Sequence, residues 1–419
     1  MNNHYKFFAF SSFREVAVNF TKIIFAWWVI TISSISELSR LMTISLTILI
    51  LLTPILAPLS SRFLLNRALS VACFIVAVGY AGYGISAYLY QEVNSPFLLA
   101  SIVLAASGMA IVLPLSNAVL ASLENIDASS AVRTSRSISS GLSIVAPIAA
   151  GVLLTISIDI GMALACFFML IASIFALSLK IKGGAPSPKR NIKFSSIYKE
   201  WGRQQKNSFR IKWEIATERG YLIIACAVQF ILAGMLSIVI PFEIKDTYKA
   251  TGFELGLSEA LVAGGMFLSA TWLLPKINKW ISKYYISSLG LMIGSLGLLV
   301  CSISNVIYIF YIGLFLFGLG FSIYGMNGVA HRLKAFPKNL RVSLSAFDIT
   351  ASRLAMLFGL IIAPILIDFF GSNMVVGFYS TVSILLSFLL LRVTGWKDLM
   401  ESTNEELDEY YGKLIPNIK

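Results

Sequence analysis

Few residues of this chain could do chemistry, and most of those that could are set in apolar surroundings. Lys22 follows Asn19, Phe20 and Thr21 and precedes Ile23, Ile24 and Phe25; Arg353 stands among Ile349, Leu354 and Leu357's neighbours Met356 and Phe358. An ionised group at mid-bilayer costs ~2.5–3.5 kcal/mol on insertion scales, so each cation needs water, a ligand or a partner. Two readings stay open for both: a site that attracts an anion, or a structural pair with a carboxylate or with carbonyls. Carboxylates inside apolar runs are equally scarce. One that loads and releases a proton needs burial that favours its neutral form. Glu259 is the first candidate for such proton coupling and Asp348 the second, although Asp348 also reads as an N-terminal helix charge. Glu37 and Arg40 sit one turn apart and can satisfy one another.

Amides add a second class. Asn19, Asn117, Gln229 and Asn327 lie within apolar stretches, where a side-chain amide is costly unless bonded. Either they face a shared cavity or each bonds a neighbouring helix. Trp27 suits stacking on a ligand or anchoring at an interface. His331, beside Arg332, reads as a loop residue. No Gly-x-x-x-x-Gly-Lys-Ser/Thr loop, no metal-ligand cluster and no usable nucleophile motif is present, which speaks against an ATPase or other enzyme. Cys73, Cys166, Cys226 and Cys301 each lie in a separate apolar run, with no metal or disulfide spacing. No metal or cofactor is expected.

These residues are positioned by long apolar elements. Hydrophobic residues make up 57% of the 419 and charged residues 13%, with a mean hydropathy of +0.80. A bilayer core demands roughly 20 apolar residues per helix, and the absence of water inside it demands helices or a closed barrel. The runs do not alternate, which excludes a barrel. Twelve spans are predicted near 14–34, 40–60, 69–91, 96–122, 133–157, 160–181, 220–244, 255–275, 284–303, 305–330, 342–366 and 372–393. Lys and Arg concentrate in the even-numbered connections, which places both termini in the cytoplasm. The net charge of +12 therefore reads as loop charge, not as a nucleic-acid surface.

The spans divide as a six-helix half at 1–181, a basic linker at 182–218, a second half at 219–394 and a cytoplasmic tail at 395–419. Phe194, Ile197, Tyr198 and Trp201 share a helix face in the linker, which suits an amphipathic helix on the inner leaflet. The tail, with Glu401, Glu405, Glu406, Asp408 and Glu409, reads as solvated. Asn327 follows Asn117 by 210 residues, and Gln229 follows Asn19 by the same 210. Parallel repeats of this kind are the build of major facilitator transporters.

Several stretches resemble the drug and siderophore exporter branch of that superfamily, which includes macrolide-efflux and enterobactin-exporter types. They are Ala26-Trp27-Trp28-Val29, the run Pro54 to Arg62, Ala146-Pro147-Ile148-Ala149-Ala150-Gly151, and Pro337 with Leu340-Arg341-Val342. Arg62 matches the family's gating loop, although Ala57 and Ser61 replace its Gly and Asp. Pro147 and Gly151 resemble the antiporters' span-five motif. The resemblance implies an all-helical major-facilitator fold in a bacterial cytoplasmic membrane and export of a small amphiphilic solute by proton antiport. The proton gradient would be the energy source. An uptake symporter for an anionic or zwitterionic solute is the alternative on the same fold, and a membrane enzyme is the weak rival. Two mid-membrane cations argue against a polycation and suit a carboxylate siderophore or peptide-like antibiotic. The expected partners are that solute and membrane lipid, with no nucleic acid, and the chain is expected to be a monomer.

Overall fold

A computed structural model describes residues 3–60, 63–90, 92–121, 128–179, 194–337, 340–403, 406–407 and 410–414. Twelve of its helices are long and apolar enough to cross a membrane: Asn3–Ile32, Ile35–Leu56, Leu65–Leu89, Pro96–Ser116, Ser137–Ile156, Ile158–Leu177, Ala216–Thr247, Gly252–Ile277, Lys283–Ile303, Ile307–Met326, Ser343–Phe370 and Ser372–Leu391. They are numbered here as spans one to twelve. Among the described residues there is no strand, as an all-helical membrane protein requires.

The backbone divides into two compact units, residues 1–199 with 240–260, and residues 200–239 with 261–419. In the first unit, span three packs on spans four and six, span one packs on spans five and six, and span two packs on span four. In the second, span nine packs on spans ten and twelve, and span seven packs on span eleven. Three pairings thus recur: three with four as nine with ten, three with six as nine with twelve, and one with five as seven with eleven. Their causes recur as well. Glycine brings paired backbones together: a Cβ on Gly79 would stand 2.8 Å from the Ala105 Cβ, and one on Gly290 would stand 2.7 Å from the Tyr324 nitrogen. Serine hydroxyls then bond across the next contact, Ser173 to the Ser70 carbonyl at 2.8 Å and Ser288 to the Ser387 carbonyl at 2.8 Å. Small residues and short hydroxyls substitute for the hydrophobic driving force that lipid removes.

Three spans depart from α-helix: span three ends in a π turn at Ser86–Tyr90, and two others have π turns beside a proline. Span seven has wide π turns at Met235–Val239 and Glu243–Thr247, either side of Pro241. Span eight has one at Ser269–Leu273, just before Pro275. Proline lacks an N–H and crowds the carbonyl four residues earlier, and a wider turn relieves both.

Three boundaries differ from expectation. Span one begins at Asn3, more than two turns early, because Phe7 and Phe10 are buried and Lys6 Nζ donates to the Ser178 carbonyl at 3.0 Å. The amphipathic helix forms at Phe194–Glu214, but its Ser208, Ile211 and Lys212 are buried in protein. The tail packs its apolar side chains into protein and leaves the acids Glu401 and Glu406 exposed. Trp396, Leu399, Met400, Leu407 and Tyr411 are all buried, and Trp396 stacks on Tyr221 with ring centroids 5.5 Å apart. Helical spacing of Trp396, Leu399 and Met400 carried that signal, and the acids that follow obscured it.

Candidate functional site

Lys22 and Glu259, separately singled out in the sequence, meet. Lys22 sits in the middle of span one, on a helix whose Ile23, Ile24, Phe25 and Ala26 are buried. Its ammonium reaches both carboxylate oxygens of Glu259 at 2.8 Å. Glu259 lies on the first half of span eight, where glycine sets the depth of approach. A Cβ at Gly256 would collide with the Pro147 carbonyl oxygen, and one at Gly151 would stand 3.0 Å from the Phe253 Cα. The small residues around Pro147 and Gly151 on span five therefore dock span eight so that Glu259 reaches span one.

The pair is asymmetric. The Glu259 side chain is 11% exposed and that of Lys22 is 35% exposed. The carboxylate is held in protein while the ammonium keeps an open flank. That flank lines a cavity of about 220 Å3 bounded by spans one to four. Thr21, Phe25, Tyr80, Tyr83 and Met109 form much of its wall. Phe25 and Tyr83 are 5.0 Å apart between ring centroids, and Tyr80 and Tyr83 5.8 Å. The Thr21 hydroxyl donates to the Ala17 carbonyl at 2.9 Å and also bonds the Tyr80 hydroxyl. Of the described residues lining the cavity, Lys22 alone is charged.

A second ionic cluster, in the other unit, absorbs Asp348. Glu218 and Lys212 are fully buried and 2.9 Å apart. Arg332 reaches Glu218 at 2.6 Å, and Asp348 reaches Lys212 at 2.9 Å and Arg332 at 3.6 Å. The Tyr411 hydroxyl donates to Glu218 at 3.1 Å. Aromatic faces complete the cage: Arg332 stands 3.6 Å from the Tyr221 centroid and Lys212 4.9 Å from that of Phe336. Burial, and then the Glu218 carboxylate, push the Tyr411 hydroxyl well above its ordinary range, so it stays a donor. Glu218 and Tyr411 were missed in the sequence because one opens a span and the other lies in an acidic tail.

The remaining candidates scatter. Asn19 donates to the Glu15 carbonyl of its own helix at 2.9 Å. Asn327 caps the end of span ten and is buried; its amide donates to the Lys283 carbonyl at 2.9 Å and the Ser287 hydroxyl at 2.8 Å. It thus serves the contact between spans nine and ten. Gln229, Arg353 and Trp27 are half-buried on spans seven, eleven and one, whereas Trp28 is buried. The Asn117 side chain and Arg62 lie outside the described residues. The Glu37–Arg40 pair forms at 2.7 Å. His331 lies in a short helix, Val329–Ala335, with Nε2 3.0 Å from the Lys283 ammonium.

The sequence profile described as Major Facilitator Superfamily matches residues 12–347. The chain belongs to the major facilitator superfamily. No curated protein matches its sequence. Solved structures share this superfamily architecture at low identity. A POT family transporter in complex with a thioalcohol-conjugated peptide superposes with a TM-score of 0.76 at 10% identity, covering 95% of this chain and 96% of that one. The peptide transporter POT in complex with sulfate gives 0.72 at 12%, with 96% of each chain covered. The nucleoside transporter NupG gives 0.70 at 13%, covering 96% of this chain and 100% of that one. This major facilitator protein is therefore an integral membrane protein of the transporter class.

Proposed function

We propose that this chain is a proton-coupled transporter of a small amphiphilic anion, and that Lys22 and Glu259 couple the two movements. The observation that carries the reading is the asymmetric pair: one ammonium, shared by both oxygens of a buried carboxylate, and open on its far side. Protonation of Glu259 removes the charge that holds Lys22. The released ammonium then attracts an anion from the cavity. Loss of the proton recaptures Lys22 and displaces the anion. Proton and anion binding thus assist one another, and by linkage the assistance is reciprocal. Ligands that promote one another's binding move together, so the electrostatics favour symport, and an inward proton gradient would drive uptake.

Export by proton antiport is the second reading. The span-five stretch Ala146 to Gly151 supports it through its resemblance to antiporters, and its close approach to span eight is consistent with a structural role for that motif. The two readings differ in sign. Purified protein in liposomes with a luminal pH dye would be offered amphiphilic anions and the matching amines, with protein-free liposomes as control. Symport predicts that anion entry acidifies the lumen and that Glu259→Gln abolishes the acidification. Luminal alkalinisation during solute entry would replace symport with antiport.

We also propose the orientation that the loop charges suggest, with both termini in the cytoplasm. Single cysteines replacing Arg203 and Glu92, in a background without the native cysteines, test it in intact cells. An impermeant maleimide should label position 92 and spare position 203. The reverse pattern would invert the topology.

A further inference from the structure

The lining of the cavity beside Lys22 has a chemistry that narrows the solute. A dry cavity of about 150 Å3 lined by Leu, Ile and Phe accommodates benzene. The volume here, about 220 Å3 in a pocket open on one side, has room for such a ring and for more beyond it. Its wall combines aliphatic side chains from spans two and four, among them Leu41, Leu49 and Ile102, with the ring cluster of Phe25, Tyr80 and Tyr83. Aromatic rings favour one another in offset-stacked and edge-on arrangements, beyond the area they bury. The polar atoms of the wall are few. The Thr21 hydroxyl is engaged with Ala17 and Tyr80. That leaves the open flank of Lys22 as the cavity's one charged contact among the described residues. A neutral hydrocarbon would leave the ammonium unused, and a cation would face it directly.

We propose that this cavity is the solute site of the N-terminal unit and that it selects compact aromatic anions, with one or two fused rings held against Phe25, Tyr80 and Tyr83 and the acid group on Lys22. This rests on the transport reading above for its biological meaning, but binding can be measured without transport. A solute of this form buries its rings against the wall on binding, and its acid group meets the open flank of Lys22. Met109 stands at the cavity from span four and Ser45 from span two; both are only partly buried, so a larger side chain at either fills the cavity without entering the packed core.

Equilibrium dialysis in nanodiscs, corrected with empty nanodiscs, would compare naphthoate, naphthylmethylamine and decanoate. Naphthoate should bind saturably. Naphthylmethylamine and decanoate should each bind at least about tenfold more weakly, a difference of about 1.4 kcal/mol. Met109→Trp and Ser45→Phe, introduced from different spans, should each weaken naphthoate by at least about tenfold, while Met109→Leu keeps the volume and should retain it. Equal binding of the amine would overturn the charge assignment, and equal binding of decanoate would show an acyl-chain crevice instead. Naphthoate binding indifferent to both filling variants would place the solute elsewhere. If proton-coupled transport is seen and naphthoate fails to bind, the cavity proposal falls and the transport reading stands. If naphthoate binds as described and no solute moves protons, the coupling reading falls and the cavity proposal stands.

Discussion

The Lys22 ammonium lies 2.8 Å from each carboxylate oxygen of Glu259, a contact between residues 237 apart in the chain. Each group offers the other an opposite charge within an apolar span. Lys22→Gln would leave a carboxylate that is 11% exposed without its cation, and breaking such a pair costs more than the pair contributes. Both Lys22→Gln and Glu259→Gln should lower the melting temperature and abolish coupled transport. The double variant should recover much of the melting temperature and none of the coupling. Thermal unfolding and proton flux measured on the same four proteins check this. Full coupling in the double variant would remove the pair from the mechanism.

Glu218 should be the most sensitive carboxylate for stability. It is fully buried between Lys212 and Arg332 and also accepts from Tyr411. Glu218→Gln removes the one fully buried carboxylate from two buried cations, leaving them the half-exposed Asp348, and should cost about 3–5 kcal/mol. Asp348, on the same cluster, is 37% exposed, so solvent screens it and Asp348→Asn should cost at most about 1 kcal/mol. Thermal melts of the two variants in detergent decide the order. Equal losses would mean that the cluster is not organised around Glu218.

Glycine substitutions offer a test of packing that does not touch charge. A Cβ at Gly256 meets the Pro147 carbonyl, which is backbone and cannot swing aside, whereas one at Gly141 meets nothing within 4 Å. Gly256→Ala should destabilise by about 1–3 kcal/mol and disturb coupling, since it moves the span that carries Glu259. Gly141→Ala should stabilise by about 0.5–1 kcal/mol, the usual gain on replacing a helical glycine. Melting temperature and proton flux report the two effects separately.

The pH dependence of stability should contain a contribution from His331. Burial, and then the charges of Lys283 and Lys334, lower its pKa from the ordinary value of 6.5. The unfolded chain therefore binds the proton first as pH falls. The stability from neutral His331 is complete above 6.5 and is lost as pH drops through the lowered folded value. His331→Gln should flatten the decline in melting temperature on the acid side of 6.5 and leave the alkaline side unchanged. A decline of the same steepness in the variant would assign it to other groups.

Much of this protein was legible before folding was considered. A helix in lipid must be long and apolar, because its backbone can bond only to itself, so the twelve spans stand in the sequence as runs. The repeat was legible too, in amides spaced 210 residues apart, and it reappears as recurrent pairing of spans within each unit. Lys22 and Glu259 drew notice for the same reason: charge in an apolar run needs an explanation. That they explain each other did not follow from spacing, because the distance between spans one and eight depends on glycines on spans five and eight. Asn327 shows the same limit, since an amide in an apolar run reads alike whether it faces a cavity or bonds Lys283 and Ser287. The apolar residues of the tail show it most plainly: Trp396, Leu399 and Met400 have helical spacing, but only the face offered by Tyr221 and Glu218 made burial favourable. Sequence alone determined which segments enter the membrane, since that is settled by each segment's own transfer energy. Tertiary structure decided which charges meet, because a partner's position is a property of the whole packing and not of either residue.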